Sequence, residues 1–319
     1  VENAVIRSLL QFSLVWLALA GVSPAALAAV HVLVVSGLGG EPEYEKRFVE
    51  QANAVAAAAL RVTGDSKRVI ALTGKDATRD SIRAQLRALA KQLTKDDQIA
   101  IVLIGHGSFD GDEYRFNLPG PDLTGTELAA LFDRLPAGQQ LIVNTTSSSG
   151  AVIERWKRAN RTVITATKSG GERNATRFAE YWVQALASPE ADRDKNQRIT
   201  VAEAFEFASR RVADAFKADA ALATEHARME GGNPARFLVA RLGNAADFPS
   251  DSVLEAMMNE QSGIERQIEE LKGQKESMDR DTYYNELERV LIALARLDRS
   301  IDQRRAMLSG GGPNAAKPE

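Results

Sequence analysis

IAIVLIGHG at residues 99–107 and LIVNTTSSSG at residues 141–150 are the two runs that decide how this chain folds. Each opens on apolar, largely β-branched residues over a strand's length, the composition of a strand buried on both faces. The first closes on an imidazole between two glycines, the second on a row of hydroxyls. The intervening PDLTGTELAALFDRLP (121–136) reads as a helix. A helical crossover makes the flanking strands parallel, so both polar tails emerge at one edge of the sheet. In open α/β sheets that carboxyl edge is where ligands bind.

The same rhythm extends in both directions. VHVLVV (30–35) is a strand that runs into the glycine turn Ser36–Gly40, and a helix follows over Glu43–Val62. The turn lacks both a full Gly-x-Gly-x-x-Gly spacing and a Lys-Ser/Thr pair, so nucleotide binding is not expected there. Val69–Leu72 is a strand. Thr78–Leu93 is a helix with Ile82, Leu86, Leu89 and Leu93 on one face. Val163–Thr167 is a further strand, followed by the loop Lys168–Asn174 and a helix over Phe178–Leu186; Phe237–Leu242 is expected to supply the last strand. Alternation of this kind predicts an α/β fold, a mostly parallel sheet flanked by helices.

Composition narrows the chemistry. A net charge of −3 leaves no general basic field for nucleic acid, and no nucleic-acid partner is expected. There are no cysteines, which removes disulfides, thiolate metal sites and a thiol nucleophile. With three histidines scattered along the chain, zinc is not expected either. His106, held between glycines at a strand end, is the functional candidate. His31 alternates with apolar residues and reads as structural, and His226 carries no assigned role.

The first 28 residues read as an export signal. Arg7 precedes an apolar core, Leu9–Ala20, and Ala26-Leu27-Ala28 fits a small-x-small cleavage site, placing the mature start near Ala29. The core is shorter than the roughly 20 residues a membrane span needs, so no stable insertion is expected after cleavage. The expected location is periplasmic or secreted.

DRDKNQRITVAE (192–203) has the spacing of an EF-hand calcium loop. Side-chain oxygens stand at Asp192, Asp194, Asn196, Thr200 and Glu203, the Arg198 carbonyl occupies the seventh place, and Ile199 the apolar eighth. Gln197 departs from the pattern where the turn wants glycine. The alternative is an acidic entry loop favouring the start of the next helix. No cofactor is required, and calcium at this loop is the one candidate.

Beyond residue 243 the strand signal ends. After a linker at 244–250, residues 251–308 carry two helical stripes: Ile264, Ile268, Leu271 and Met278, then Tyr284, Leu287, Leu291, Leu294, Leu297 and Ile301. A helical hairpin or a coiled coil satisfies both, with a break at Met278–Asp281. Such helices offer a surface for a partner or for self-association. The tail, 309–319, is expected to be disordered. The organisation is thus a signal peptide (1–28), an α/β domain (29–243), a helical appendage (251–308) and a tail.

At its two decisive runs the chain resembles the legumain/caspase clan of cysteine peptidases. Gly105-His106-Gly107 resembles the clan's His-Gly strand end, and Ser149-Gly150 the Ser-Gly that closes its nucleophile strand. The resemblance therefore implies a caspase-like fold over roughly Val30–Leu242 and puts Ser147 where the nucleophilic cysteine would stand. It implies a general acid/base role for His106, an oxyanion hole from the Gly107 N–H and the nucleophile's own N–H, and a peptide-binding strand and loop that include Lys168 and Ser169. Arg47 would be the basic residue selecting an acidic or amide side chain. A thiol ionises near neutral pH and tolerates a distant histidine; a serine hydroxyl needs its base within hydrogen-bonding reach. Two readings follow: a pseudopeptidase that binds peptide or protein, or an endopeptidase working through a His106/Ser147 dyad.

Overall fold

The computed structural model describes residues 29–242, 252–275 and 277–308. The expected export signal, the linker at 244–250 and the tail lie outside the described residues. In chain order the elements are β1 (Val30–Ser36), α1 (Pro42–Thr63), β2 (Val69–Leu72), α2 (Arg79–Gln92), β3 (Gln98–Ile104), β4 (Gly107–Phe109), β5 (Tyr114–Phe116), β6 (Leu123–Thr124), α3 (Gly125–Phe132), β7 (Gln139–Asn144), α4 (Ile153–Trp156), β8 (Arg161–Thr165), α5 (Phe178–Ala185), β9 (Arg198–Thr200), α6 (Val201–Ala218), β10 (Arg228–Glu230), β11 (Leu238–Arg241), α7 (Ser252–Gln274) and α8 (Arg280–Leu308).

The central sheet has the order β10-β8-β7-β3-β1-β2. Neighbours from β2 to β8 pair in parallel, and β10 closes one edge antiparallel to β8. Side chains alternate between two cores. Val32, Val34, Ala100, Val102, Leu141, Val143 and Ile164 pack with buried residues of α1, α5 and α6. Leu33, Val35, Ile99, Ile101, Leu103, Ile142 and Val163 pack with those of α2 and α3. Each fully buried Val, Leu or Ile contributes roughly 1.5–3 kcal/mol, so these strands carry much of the fold's stability.

Local chemistry sets the boundaries. Pro42 occupies the first turn of α1, and Gly64, at φ 63°, stops it in the left-handed conformation. Thr78 caps α2 by accepting the Ser81 N–H. Thr124 with Glu127, and Thr200 with Glu203, form reciprocal capping boxes on α3 and α6.

Two expectations need correction. The run at 237–242 does not join the central sheet: β11 pairs with β9 in a separate two-stranded sheet, and the edge strand is β10. Periodicity reports that a run is extended and half-buried, but the partner is a non-local choice. On α8 the inward aromatic is Tyr283 rather than Tyr284, and Val290 is buried where Leu291 is exposed. Tyr283, Leu287, Val290, Leu294, Leu297 and Ile301 alternate spacings of four and three, a seam period of 3.5 rather than 3.6.

The two C-terminal helices pack against each other antiparallel, with Leu254 beside Ile301 and Gln261 Nε2 donating to Asp298 Oδ1 at 2.7 Å. Asp279 caps α8 by accepting the Thr282 N–H and hydroxyl. Arg198, buried at the start of β9, reaches α7 through Gln261 (3.1 Å) and Glu265 (3.2 Å). Among the described residues no helix is long and apolar enough to cross a membrane.

Candidate functional site

β3 and β7 run side by side and in parallel with Leu103 opposite Asn144, so His106 and Ser147 follow the same ends of two neighbouring strands. Gly105, at φ +148°, turns the chain before His106 in a conformation that favours glycine. A Cβ on Gly107 would lie 2.5 Å from both the Ser147 carbonyl oxygen and Thr146 Oγ1. The two tails are thus in direct backbone contact.

Asn117 N–H donates to the His106 carbonyl, and Gly107 stands opposite Phe116. In that antiparallel register His106 and Asn117 are the hydrogen-bonded pair, which turns the Gly107 N–H away from β5.

The His106 ring packs edge-on against Tyr44 and Phe48, with centroids 4.8 and 5.1 Å away. Burial, reinforced by the Arg47 guanidinium, holds it below the ordinary imidazole value; a hydrogen bond to the Gly39 backbone and the Glu41 charge act in the other direction. At neutral pH the ring is therefore an uncharged base. Arg47 lies over Tyr44 at 4.5 Å, and among the described residues no carboxylate pairs with it. Among the described residues no hydrogen bond joins the ring to Ser147 Oγ, and no carboxylate pairs with it. Asp110 instead binds Arg115 at 2.6 Å and the N–H groups of Asp112 and Glu113; Glu113 is taken by Thr126 and Arg155.

Ser147 is 3% exposed. Ser148, next to it, adopts φ 56°, and its N–H donates to the Glu172 carbonyl at 2.8 Å. Ser149 and Gly150 are tied to Thr167: Thr167 N–H donates to Ser149 Oγ (3.2 Å), and Gly150 N–H to Thr167 Oγ1 (2.8 Å). This brings the hydroxyl turn against the loop bearing Lys168 and Ser169, both exposed. Ser36 Oγ, Asn144 Nδ2 and Ser148 Oγ are buried without a hydrogen-bond partner, and all three stand at this edge. Each such group costs about 1–3 kcal/mol, so the edge is a place where stability has been given up.

Three supporting residues carried no signal in the sequence. Tyr114, whose hydroxyl burial pushes up to about 12, bridges Thr146 Oγ1 (2.6 Å) and Asn144 Oδ1 (3.3 Å) beneath the turn. Glu172 accepts the Lys168 and His226 N–H groups and meets His226 Nδ1 at 2.5 Å, so His226 does have a partner at the rim. Glu225 accepts the N–H groups of Arg177 and Phe178, both at 2.7 Å, at the start of α5. Pairs this distant in the chain leave no motif.

The 192–203 loop is a separate cluster. One carboxylate oxygen each from Asp192, Asp194 and Glu203 lies within 4.8 Å of the others. Asp192 accepts the Asn196 and Gln197 N–H groups (3.0 and 2.8 Å), and Asn196 Oδ1 accepts the Arg198 N–H (2.8 Å). Gln197 takes the left-handed φ of 63° that glycine normally supplies. Burial and the charges of Glu203 and Asp192 push Asp194 above the usual carboxylate range. Glu203 also accepts the Thr200 N–H (2.9 Å) as part of the α6 capping box. These are oxygen donors suited to a hard cation. The sequence expectation is met if calorimetry with Ca²⁺ gives one site, weak because of Gln197, that vanishes in Glu203→Gln. No heat at millimolar calcium leaves the loop as the entry cap of α6.

No protein-family model matches the chain, and no curated protein matches it in sequence. Among solved structures it is similar to a crystal structure of protein GSU0716 from Geobacter sulfurreducens, at 13% identity over 65% of this chain and 94% of that one, with a TM-score of 0.42. A likeness of that size says nothing about activity.

Proposed function

We propose that the chain is an exported legumain/caspase-like protein that binds peptide or protein along the carboxyl edge of β3, β7 and β8, and that it is a pseudopeptidase. The observation that carries this reading is the juxtaposition at that edge. His106-Gly107 and Ser147–Gly150 close neighbouring parallel strands of a sheet whose far edge, β10, is antiparallel. The Gly107 N–H turned away from β5 and the uncharged His106 support a ligand-binding edge built on peptidase lines. Among the described residues the Ser147 hydroxyl is unbonded and no carboxylate pairs with His106, which favours binding over hydrolysis, because a serine nucleophile needs both its base and an orienting group. Arg47 would meet an acidic or amide side chain of the ligand, and Lys168–Ser169 would flank an extended peptide laid beside the sheet. Calcium at the 192–203 loop, and a partner or second copy on the C-terminal helices, belong to the same proposal.

A fluorophosphonate probe is expected to leave Ser147 unlabelled, while Ser147→Cys gains hydrolytic activity, since a thiolate tolerates the looser geometry. A fluorescent aspartate-bearing peptide should bind at least about tenfold more weakly to Arg47→Glu, a change of about 1.4 kcal/mol. Labelling of Ser147, with Ser147→Ala and His106→Ala each dropping hydrolysis to one floor, would instead establish the dyad endopeptidase.

A further inference from the structure

The export motif predicts that the mature chain starts near Ala29. Ala29 precedes β1, and its N–H donates to Asp97 Oδ1 at 3.0 Å. Its carbonyl accepts the Gln98 N–H at 2.8 Å, so the β1–β3 ladder begins at this residue. Asp97 is held in position from its other oxygen, where Oδ2 accepts the Thr94 N–H (2.8 Å) and hydroxyl (2.9 Å). Burial works against the Asp97 charge, yet the Thr94 and Ala29 hydrogen bonds outweigh it and keep the group below the usual carboxylate range. The neighbouring titratable groups do not compete. Burial holds His31 below its ordinary value, Arg68 pairs with Asp65 at 3.5 Å, and Lys95 pairs with Asp96 at 3.2 Å.

We propose that the chain is cut between Ala28 and Ala29 and that Asp97 is the seat for the ammonium group this creates. The proposal rests on the export reading. The step is hydrolysis by the exporting cell's signal-removing peptidase: water's oxygen goes to the new Ala28 carboxylate, and its protons go to the Ala29 nitrogen. An amide N–H that merely caps Asp97 becomes a cation with three donors on a preordered carboxylate, a shorter and stronger charge-assisted bond. Removal of the leader thereby strengthens the start of a central strand. The sequence motif names the bond, and the Asp97 carboxylate gives the new terminus a partner at the start of β1.

The test has two arms. The chain expressed from residue 1 in an exporting bacterial host should yield a mature protein whose intact mass begins at Ala29. A chain starting at Ala29 is then compared with one carrying Gly-Ser-Gly before it, which keeps the amide hydrogen bond and loses the charge. The free terminus should melt about 2–4 °C higher near pH 6.5, the shift expected of a strong surface ion pair in a domain of this size. That gap should close in Asp97→Asn, and above about pH 9, where an α-amino group is uncharged. A chain left uncut, or cut elsewhere, overturns the processing site. A gap of zero, or one unchanged in Asp97→Asn, overturns the seat.

Discussion

Gly150→Ala should lower the melting temperature by about 6–12 °C and, on the function proposed above, abolish peptide binding at the β3–β7 edge. A Cβ there would fall inside the contact distance of Ser169 N, Lys168 C and Thr167 O, all backbone atoms with no rotamer to yield. Overpacking of this kind costs about 3 kcal/mol at its upper range, which converts to that shift for a domain of some 200 residues. Relief can come only by moving the 167–169 loop off the hydroxyl turn, breaking the Thr167–Ser149 and Thr167–Gly150 hydrogen bonds. Gly40→Ala is the control. Its φ of +77° strains alanine, but nothing lies within 4 Å of the added Cβ, so the cost is the left-handed backbone alone, about 1–2 kcal/mol. Equal thermal denaturation of the two variants would mean that the loop and the turn are not packed as described.

The second large effect is a fall in stability as pH rises. Burial pushes Glu225 up to about 7, and the Glu172 charge adds to it, against the Arg177 and Phe178 N–H groups and the Arg177 charge. A folded value above the unfolded one of 4.5 means that the group's contribution is whole below pH 4.5 and is lost as pH rises through about 7. The difference corresponds to the order of 3 kcal/mol between those limits. His31 and His106, both held below 6.5, work in the opposite direction, their contributions being lost as pH falls. The diagnostic quantity is therefore the wild-type stability minus that of Glu225→Gln, measured by urea denaturation from pH 4.5 to 8. It should decline by about 3 kcal/mol across that range. A flat difference would mean that the carboxylate ionises at its ordinary pH despite its surroundings.

How much of this could be read in advance follows from the range of each interaction. The buried strands β1, β3, β7 and β8 were legible because β-branched apolar runs bounded by glycine or polar residues admit few alternatives, and their polar tails marked the edge. The three-stranded sheet of β4, β5 and β6 leaves no sequence signal because Gly107–Phe109, Tyr114–Phe116 and Leu123–Thr124 are too short to show a period. β10, reading Arg-Met-Glu, has no apolar alternation, so the longer run at 237–242 took its place in the expected sheet. Glu172 and His226 are 54 residues apart, and only folding makes them neighbours. On α8 the adjacent pair Tyr283–Tyr284 lets a stripe be drawn one residue off. What decides between them is the exact period of a seam whose partner helix the sequence does not reveal.

The central sheet ends on two short margins: three residues of β10 and four of β2. An exposed strand margin is a template on which a second molecule can add its own backbone, and the hazard grows with its length and flatness. Here one margin carries Arg228 and Glu230, paired with each other at 2.7 Å, and Arg68 stands at the entrance to the other. A neighbouring chain would find only a few backbone groups to bond and would have to displace charge to reach them. Crowded copies of this protein should therefore resist strand-to-strand polymerisation.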